Sequence, residues 1–493
     1  LQDENPDHGK TTRFSKHMRK NIEIGLFVLL ALAMGIVLYL QRHPRYSWER
    51  DLSQRLAVDF NRTESQVKDY IARYIPEVTD AQIADWTADG KLESMEIGGK
   101  RMYFRNAGPN LFRLVPELAA RKAVADEADR TKTGTSITGH EATDAQTVPA
   151  IQAQVLARQS ERLPASLNVP EDSSAFLALP KRMRVTFTLT IPANTLRPRK
   201  TLRCWLPYPR SDVARQTDVK FIEAGVDSVA YPVERITFSD PTCPHGSLYL
   251  EAETRRDRST TFYEIFEYTS FGEWHPIDSA TVLPYHTESP AYKAFTSERD
   301  PHMLFSPGIL ALADSLTRGI GNPYLQAKAL YTWVDAIPWA SAREYSTIEN
   351  IPEYVLANRY GDCGQQTLLL MTLCRAKGIP ARWQSGLMMH PGAENLHDWC
   401  EIYFEGAGWV PVDVSFGETD YGGLFFFGGI DPYRMVVNND FSGQMDPPKR
   451  YPRSDTVDFQ RGEVEWEYGN LYYNQWDYSF QIEYLNESLF SSL

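Results

Sequence analysis

The chain has 493 residues, 42% of them apolar and 12% aromatic, enough for roughly two to four domains with cores of their own. A net charge of −13 argues against a general nucleic-acid binder, which would carry a basic face. Five cysteines without a Cys-x-x-Cys pair argue against a disulfide framework and against a thiolate zinc site.

Residues 24–40, IGLFVLLALAMGIVLYL, form an uninterrupted apolar run. Lys10, Arg13, Lys16, Arg19 and Lys20 precede it; Arg42 and Arg45 follow it. A cleaved signal would seldom stay apolar beyond Ala31-Leu32-Ala33, so residues 1–45 are expected to be a tail and a single transmembrane anchor. The basic excess on the N-terminal side puts the body outside the cytoplasm, on the periplasmic side of the inner membrane if the source is bacterial.

Residues 46–120 predict a small helix, helix, hairpin module: SQVKDYIARYI and TDAQIADWTADG have helical spacing, and LESMEIGGKRMYFRNA alternates around Gly98-Gly99. Residues 121–180 are rich in Ala, Thr, Asp, Gln and Ser and are expected to be a linker or mobile segment, with AIQAQVLARQSERL able to form one helix. From 181 to 275 the period changes to two, in RVTFTLTI, TLRCWLPYP, GSLYLEAE and TTFYEIFEYTS, the pattern of a β-sandwich. Cys204 and Cys243 are expected there as core thiols, with a disulfide between them as the alternative. Helices return from about 287, strands follow to Phe427, and the aromatic stretch in 431–493 is expected to pack back on the body as strands. The expected class is therefore α+β.

Chemistry concentrates in GDCGQQTLLLMTLCRAKGIP, residues 361–380. Asp362 can cap a helix, with Gln365 as reciprocal partner, so Cys363 falls in the first turn, where free N–H groups and the helix dipole favour a thiolate. Leu368, Leu369, Met371, Leu373 and Cys374 bury the helix, and Gly378 and Pro380 end it. A lone thiol at a helix start is more often structural than reactive. A nucleophile needs a base and the base an orienting group, and HDWCEIYFEGAGWVPVDVSFG, residues 397–417, supplies His397 and Asp413 on neighbouring strands. An odd-length glycine turn places those two on one face of the sheet. His390 reads as a loop residue, Cys374 and Cys400 as buried thiols, and Glu401 as a partner for Arg382.

The Gly361-Asp362-Cys363 helix start, Gly378-Ile379-Pro380-Ala381-Arg382, His397-x-Trp399-x-Glu401 and Gly408-Trp409-x-Pro411-x-Asp413 together resemble the transglutaminase-like superfamily, and more narrowly its bacterial envelope members. The resemblance covers about residues 320–417 and implies a papain-like core over 276–430. It implies that Cys363 is the acyl-accepting nucleophile, that His397 exchanges the proton and that Asp413 orients the imidazole. The oxyanion is expected to meet the backbone N–H of Cys363 and a side-chain donor, Trp339 first and Tyr345 second. The expected activity is thiol-dependent hydrolysis of peptide or isopeptide bonds. The alternatives are amine transfer to protein glutamine and a non-catalytic anchored scaffold. A protein or peptide substrate is expected; no cofactor, metal or nucleic acid is.

Overall fold

The computed structural model describes residues 24–36, 52–133, 140–158 and 174–485. The chain divides into two units after Ser53. In the first, residues 24–36 form a helix whose leucines and Phe27 are exposed. Among the described residues no helix is long and apolar enough to cross a membrane. A span needs about 20 residues, and residues 37–40 of the expected anchor lie outside the described residues.

The second unit begins with the small module. Thr63 and Thr79 each close a capping box, starting the helices Glu64–Ala72 and Asp80–Ala88. The strands Ser94–Ile97 and Lys100–Tyr103 then pair around Gly98 and Gly99, both at positive φ. The helix Ala107–Leu114 completes a core of Ile71, Ile83, Tyr103, Phe104 and Leu111. The module is fastened to the rest of the unit by Arg105, whose guanidinium is 2.8 Å from Glu344, and by Asn110, which donates to the Ser341 carbonyl.

Nineteen residues of the expected linker are built into the body as a helix. His140–Arg158 is a helix, α1, and its residues Val148, Ile151 and Val155 are buried against Ala178, Phe425 and Phe426. Residues 134–139 and 159–173 lie outside the described residues. The apolar spacing of 148, 151 and 155 is that of one helical face, diluted in the sequence by polar neighbours.

The next strands are β1 (Leu177–Ile191), β2 (Thr201–Pro207), β3 (Gln216–Val226), β4 (Ser247–Glu253) and β5 (Thr260–Trp274); burial alternates along most of β1, β3 and β4, as the period-two pattern requires, while β5 and the end of β2 are buried nearly throughout. They form two sheets around one core that includes Val185, Phe187, Leu206, Leu250 and Phe266. The aromatic tail enters both sheets: Glu463–Trp466 pairs with β2, and Asp477–Tyr484 pairs with β1. All five cysteines are free. Cys204 is buried, but Cys243 is half-buried with its thiol against the Gln444 carbonyl, which corrects the expectation of a core thiol.

The remaining layer holds the site. The helix α2 (Pro323–Asp335) and the helix α3 (Cys363–Ala376) pack on a four-stranded antiparallel sheet. Its strands are β6 (Ala381–Met388), β7 (Asn395–Phe404), β8 (Gly408–Val412) and β9 (Arg434–Asn438), in spatial order β8-β7-β6-β9. α3 is buried from Gly364 to Arg375 and ends as its sequence demands. Gly378, at φ +70°, sends its N–H to the Arg375 carbonyl and the Ile379 N–H goes to Cys374, a Schellman closure.

Candidate active site

Cys363 opens α3, and the Asp362 side chain accepts the Gln365 N–H at 3.0 Å, so the expected cap is present. Its reciprocal arm is not. The Gln365 side chain makes no hydrogen bond among the described residues and lies buried against Gly361 instead.

On the facing sheet, Phe404 pairs with Gly408, leaving a three-residue turn with Gly406 at φ +93° and Gly408 at φ +87°. This odd turn puts Asp413 and His397 on one face. His397 Nε2 is 2.6 Å from Asp413 Oδ2. Asp413 is fully buried yet well partnered: Arg434 lies 2.9 Å from the same oxygen, and the Ser415 hydroxyl donates to Oδ1 at 2.9 Å. Burial alone would raise its carboxyl, but His397, Arg434 and Ser415 outweigh it and bring the pKa down to about 2. The carboxylate thus stays ionised, ready to stabilise an imidazolium.

Arg434 went unnoticed in the sequence. It is fully buried, its guanidinium lies over Phe416 and Phe426 at 4.1 and 5.1 Å, and it joins Asp413 to Asp431.

The thiol has a different partner from the one expected. Cys363 Sγ donates to Asp398 Oδ2 at 3.4 Å. Asp398 immediately follows His397 in β7, and side chains alternate along a strand. Asp398, Cys400 and Ile402 face α3, whereas His397 and Trp399 lie on the face that carries Asp413. The structure therefore brings His397 and Asp413 together directly, and sets the thiol one strand position away, against Asp398.

Asp398 sits in a buried polar cluster. Gln460 donates to its Oδ1 at 2.6 Å and to the His397 carbonyl at 2.8 Å, and the Tyr345 hydroxyl is 3.1 Å from Oδ2 and 2.8 Å from Asp362 Oδ1. Burial, then the neighbouring Asp458, push the Asp398 carboxyl well above the usual carboxylate range. Burial raises Asp362 to about 6. The Cys363 thiol is raised by burial first and by Asp398 and Asp362 next. The signal for Asp398 was its position beside His397 on the helix-facing side of the strand. Gln460 and Asp458 come from the C-terminal extension, and nothing in their spacing announced them.

Of the two expected oxyanion donors, Trp339 is on a segment that pairs with Gly361, and its ring, 41% exposed, carries the Arg113 guanidinium at 4.8 Å. The Tyr345 hydroxyl is engaged by two carboxyls. Arg382 meets Glu401 at 2.5 Å as expected, and Cys374 and Cys400 are buried. His390 is in a loop after β6 but is fully buried, 2.9 Å from Asp144 of α1 and 3.4 Å from Asp431.

Residues 310–414 match the model of the transglutaminase-like superfamily. Over 131 residues the chain is 24% identical to YebA, an uncharacterized protein of Bacillus subtilis strain 168; the match takes in 23% of this chain and 18% of that protein. The chain thus spans less than a fifth of the length of that curated relative. Among solved structures, a candidate cysteine protease of Cytophaga hutchinsonii is similar at a TM-score of 0.40 and 15% identity, over 63% of this chain and 93% of that one. The periplasmic domain of TgpA from Pseudomonas aeruginosa is similar at a TM-score of 0.26 and 16% identity, over 47% and 88%. The helix that begins at Cys363 and the paired strands that follow it lie within the stretch, residues 310–414, that matches the transglutaminase-like core domain.

Proposed function

We propose that this protein is a thiol-dependent acyl-transfer enzyme that hydrolyses peptide or isopeptide bonds, with Cys363 as nucleophile, His397 as the proton carrier and Asp413 as its orienting carboxylate. The observation that carries the reading is the 2.6 Å bond from His397 Nε2 to a fully buried, ionised Asp413, one strand position from the residue that holds the Cys363 thiol. In this reading Nδ1, the ring nitrogen that does not face Asp413, takes the thiol proton. For this the thiol must leave Asp398 and turn to His397, and the imidazolium so formed is stabilised by Asp413.

In the acylation step the sulfur attacks the carbonyl carbon and the carbon–oxygen double bond opens to an oxyanion. The Cys363 N–H at the start of α3 and the Trp339 indole are the proposed donors to it. Collapse expels the amine, which takes the proton from His397 and leaves a thioester. Water then attacks with His397 as base, releasing a carboxylic acid and restoring the thiol. An amine in place of water would give an amide, the transglutaminase outcome.

A second reading has an observation of its own. The thiol is hydrogen-bonded to a carboxyl and raised rather than lowered, which suits a non-catalytic binding body built on the same fold. The experiment is mass spectrometry of Gln-containing and isopeptide-linked peptides after incubation with the full chain, with and without a primary amine. Cleavage or deamidation lost in Cys363→Ala and in His397→Ala supports hydrolysis, and amine incorporation supports transfer. An unchanged peptide pool, with electrophile labelling at Cys363 no faster than at the other four cysteines and insensitive to His397→Ala, favours the binding body.

We also propose that residues 24–40 tether the body to a membrane, outside the cytoplasm, on the strength of the apolar run and its basic flank. Release of the full chain from membranes by alkaline carbonate would overturn that placement.

A further inference from the structure

We propose that Asp144, His390 and Asp431 bind a divalent transition-metal ion, zinc or manganese in type, that clips α1 onto the transglutaminase-like core. The three come from separate elements, and each is fully buried. One ligand atom from each lies within 4.8 Å of the other two. His390 Nε2 is 2.9 Å from Asp144 Oδ1 and 3.4 Å from Asp431 Oδ1. Two ligands each about 2.1 Å from a tetrahedral ion stand about 3.4 Å apart, so only small movements would seat a metal.

A second observation points to a ligand. Asp144 Oδ2 is buried and has no hydrogen-bond partner among the described residues. A buried carboxylate oxygen without a partner is costly, and a cation bound by that carboxylate removes the cost. Arg434 does not serve here, because its guanidinium is committed to Asp431 Oδ2 and to Asp413. Neutral His390 has at most one N–H at Nε2 to share between two carboxylate oxygens, whereas a metal accepts that nitrogen's lone pair and both oxygens together. One imidazole and two carboxylates suit zinc, a borderline ion, or the harder manganese with mixed nitrogen and oxygen ligands, over calcium or magnesium, which favour all-oxygen sites.

The site also lies close to the proposed catalytic pair. Asp431, held by the Tyr433 N–H at 2.7 Å, reaches Asp413 through Arg434. A bound ion would therefore fix both α1 and the far end of the Arg434 bridge. Binding is measured directly, so the inference is independent of whether the thiol is catalytic.

The test is titration of the full chain, first stripped with chelator, with Co²⁺ as a spectroscopic probe and with Zn²⁺ in competition. The expected result is one ion per chain, with visible d–d bands and no near-ultraviolet thiolate band. Asp144→Asn and His390→Gln are each expected to weaken binding at least about 100-fold. Zinc is expected to raise the melting temperature of the wild type but not of these variants. Absence of d–d bands in the wild type, a thiolate band, or unchanged affinity in folded Asp144→Asn or His390→Gln overturns the proposal. Should one variant fail to fold, the other and the wild-type spectrum decide.

Discussion

Replacing Arg434 by methionine tests the electrostatic logic of the site without reference to activity. The guanidinium is fully buried, bonded to Asp413 at 2.9 Å and to Asp431, and lies 4.1 Å over Phe416. Methionine keeps much of the contact with Phe416 and Phe426 but leaves two buried carboxylates without their shared cation, their nearest remaining partners being imidazoles, His397 at 2.6 Å from Asp413 and His390 at 3.4 Å from Asp431. Removing one member of a buried ion pair costs about 3–5 kcal/mol, because the remaining charge is stranded. At about 2–4 °C per kcal/mol for a large domain, the melting temperature should fall by about 6 °C or more. The assay is thermal and urea unfolding of chelator-treated protein, followed by tryptophan fluorescence. Adding Asp431→Asn removes one stranded charge and should recover part of the loss. If Arg434→Met melts within about 2 °C of the wild type, the bridge carries no net stability and the argument fails.

Burial and then Glu344 raise Asp59 to about 7 from its ordinary 3.8, so the fold prefers it protonated. Its contribution is complete below the unfolded value of 3.8 and is lost as pH rises through the folded value of about 7, so stability should fall between about pH 4 and about pH 7. Asp59→Asn should flatten part of that slope in urea titrations; an equal slope in the variant would exclude Asp59 as the source. A Cβ at Gly364 would collide with the Tyr345 hydroxyl and the Asp398 carboxyl, so Gly364→Ala should displace Asp398 from the thiol and change the pH profile of Cys363 alkylation. An unaltered profile would mean that this packing does not govern the thiol. Ile151→Ala should cost about 2–5 kcal/mol, because the side chain is fully buried beneath Phe425 and Phe426, and should open α1 to proteolysis before the rest of the unit. Protection equal to the wild type would show that α1 is not held by that contact.

Local chemistry was legible because it is local. The cap at Asp362, the Gly378 stop and the odd glycine turn between β7 and β8 each depend on residues within a few positions of one another. The turn is the most informative of these: its parity alone decides that His397 and Asp413 share a face, and their hydrogen bond follows. The alternation in 181–275 likewise announced strands, because a half-buried strand such as β1 or β3 must change face at every residue.

What the residues could not disclose is which distant groups share a buried volume. Asp398 beside Cys363, Arg434 against Asp413, and Asp144 against His390 join positions 35, 21 and 246 residues apart. None has a spacing, because each is created by packing one element on another. The same holds for the tail, whose strands look complete in themselves but which delivers Gln460 and Asp458 to the site only after its neighbours have joined the sandwich sheets. Periodicity fixes the face a side chain takes on its own element; the charges it meets there, and hence whether it keeps its proton, are fixed only when the sheets close around it.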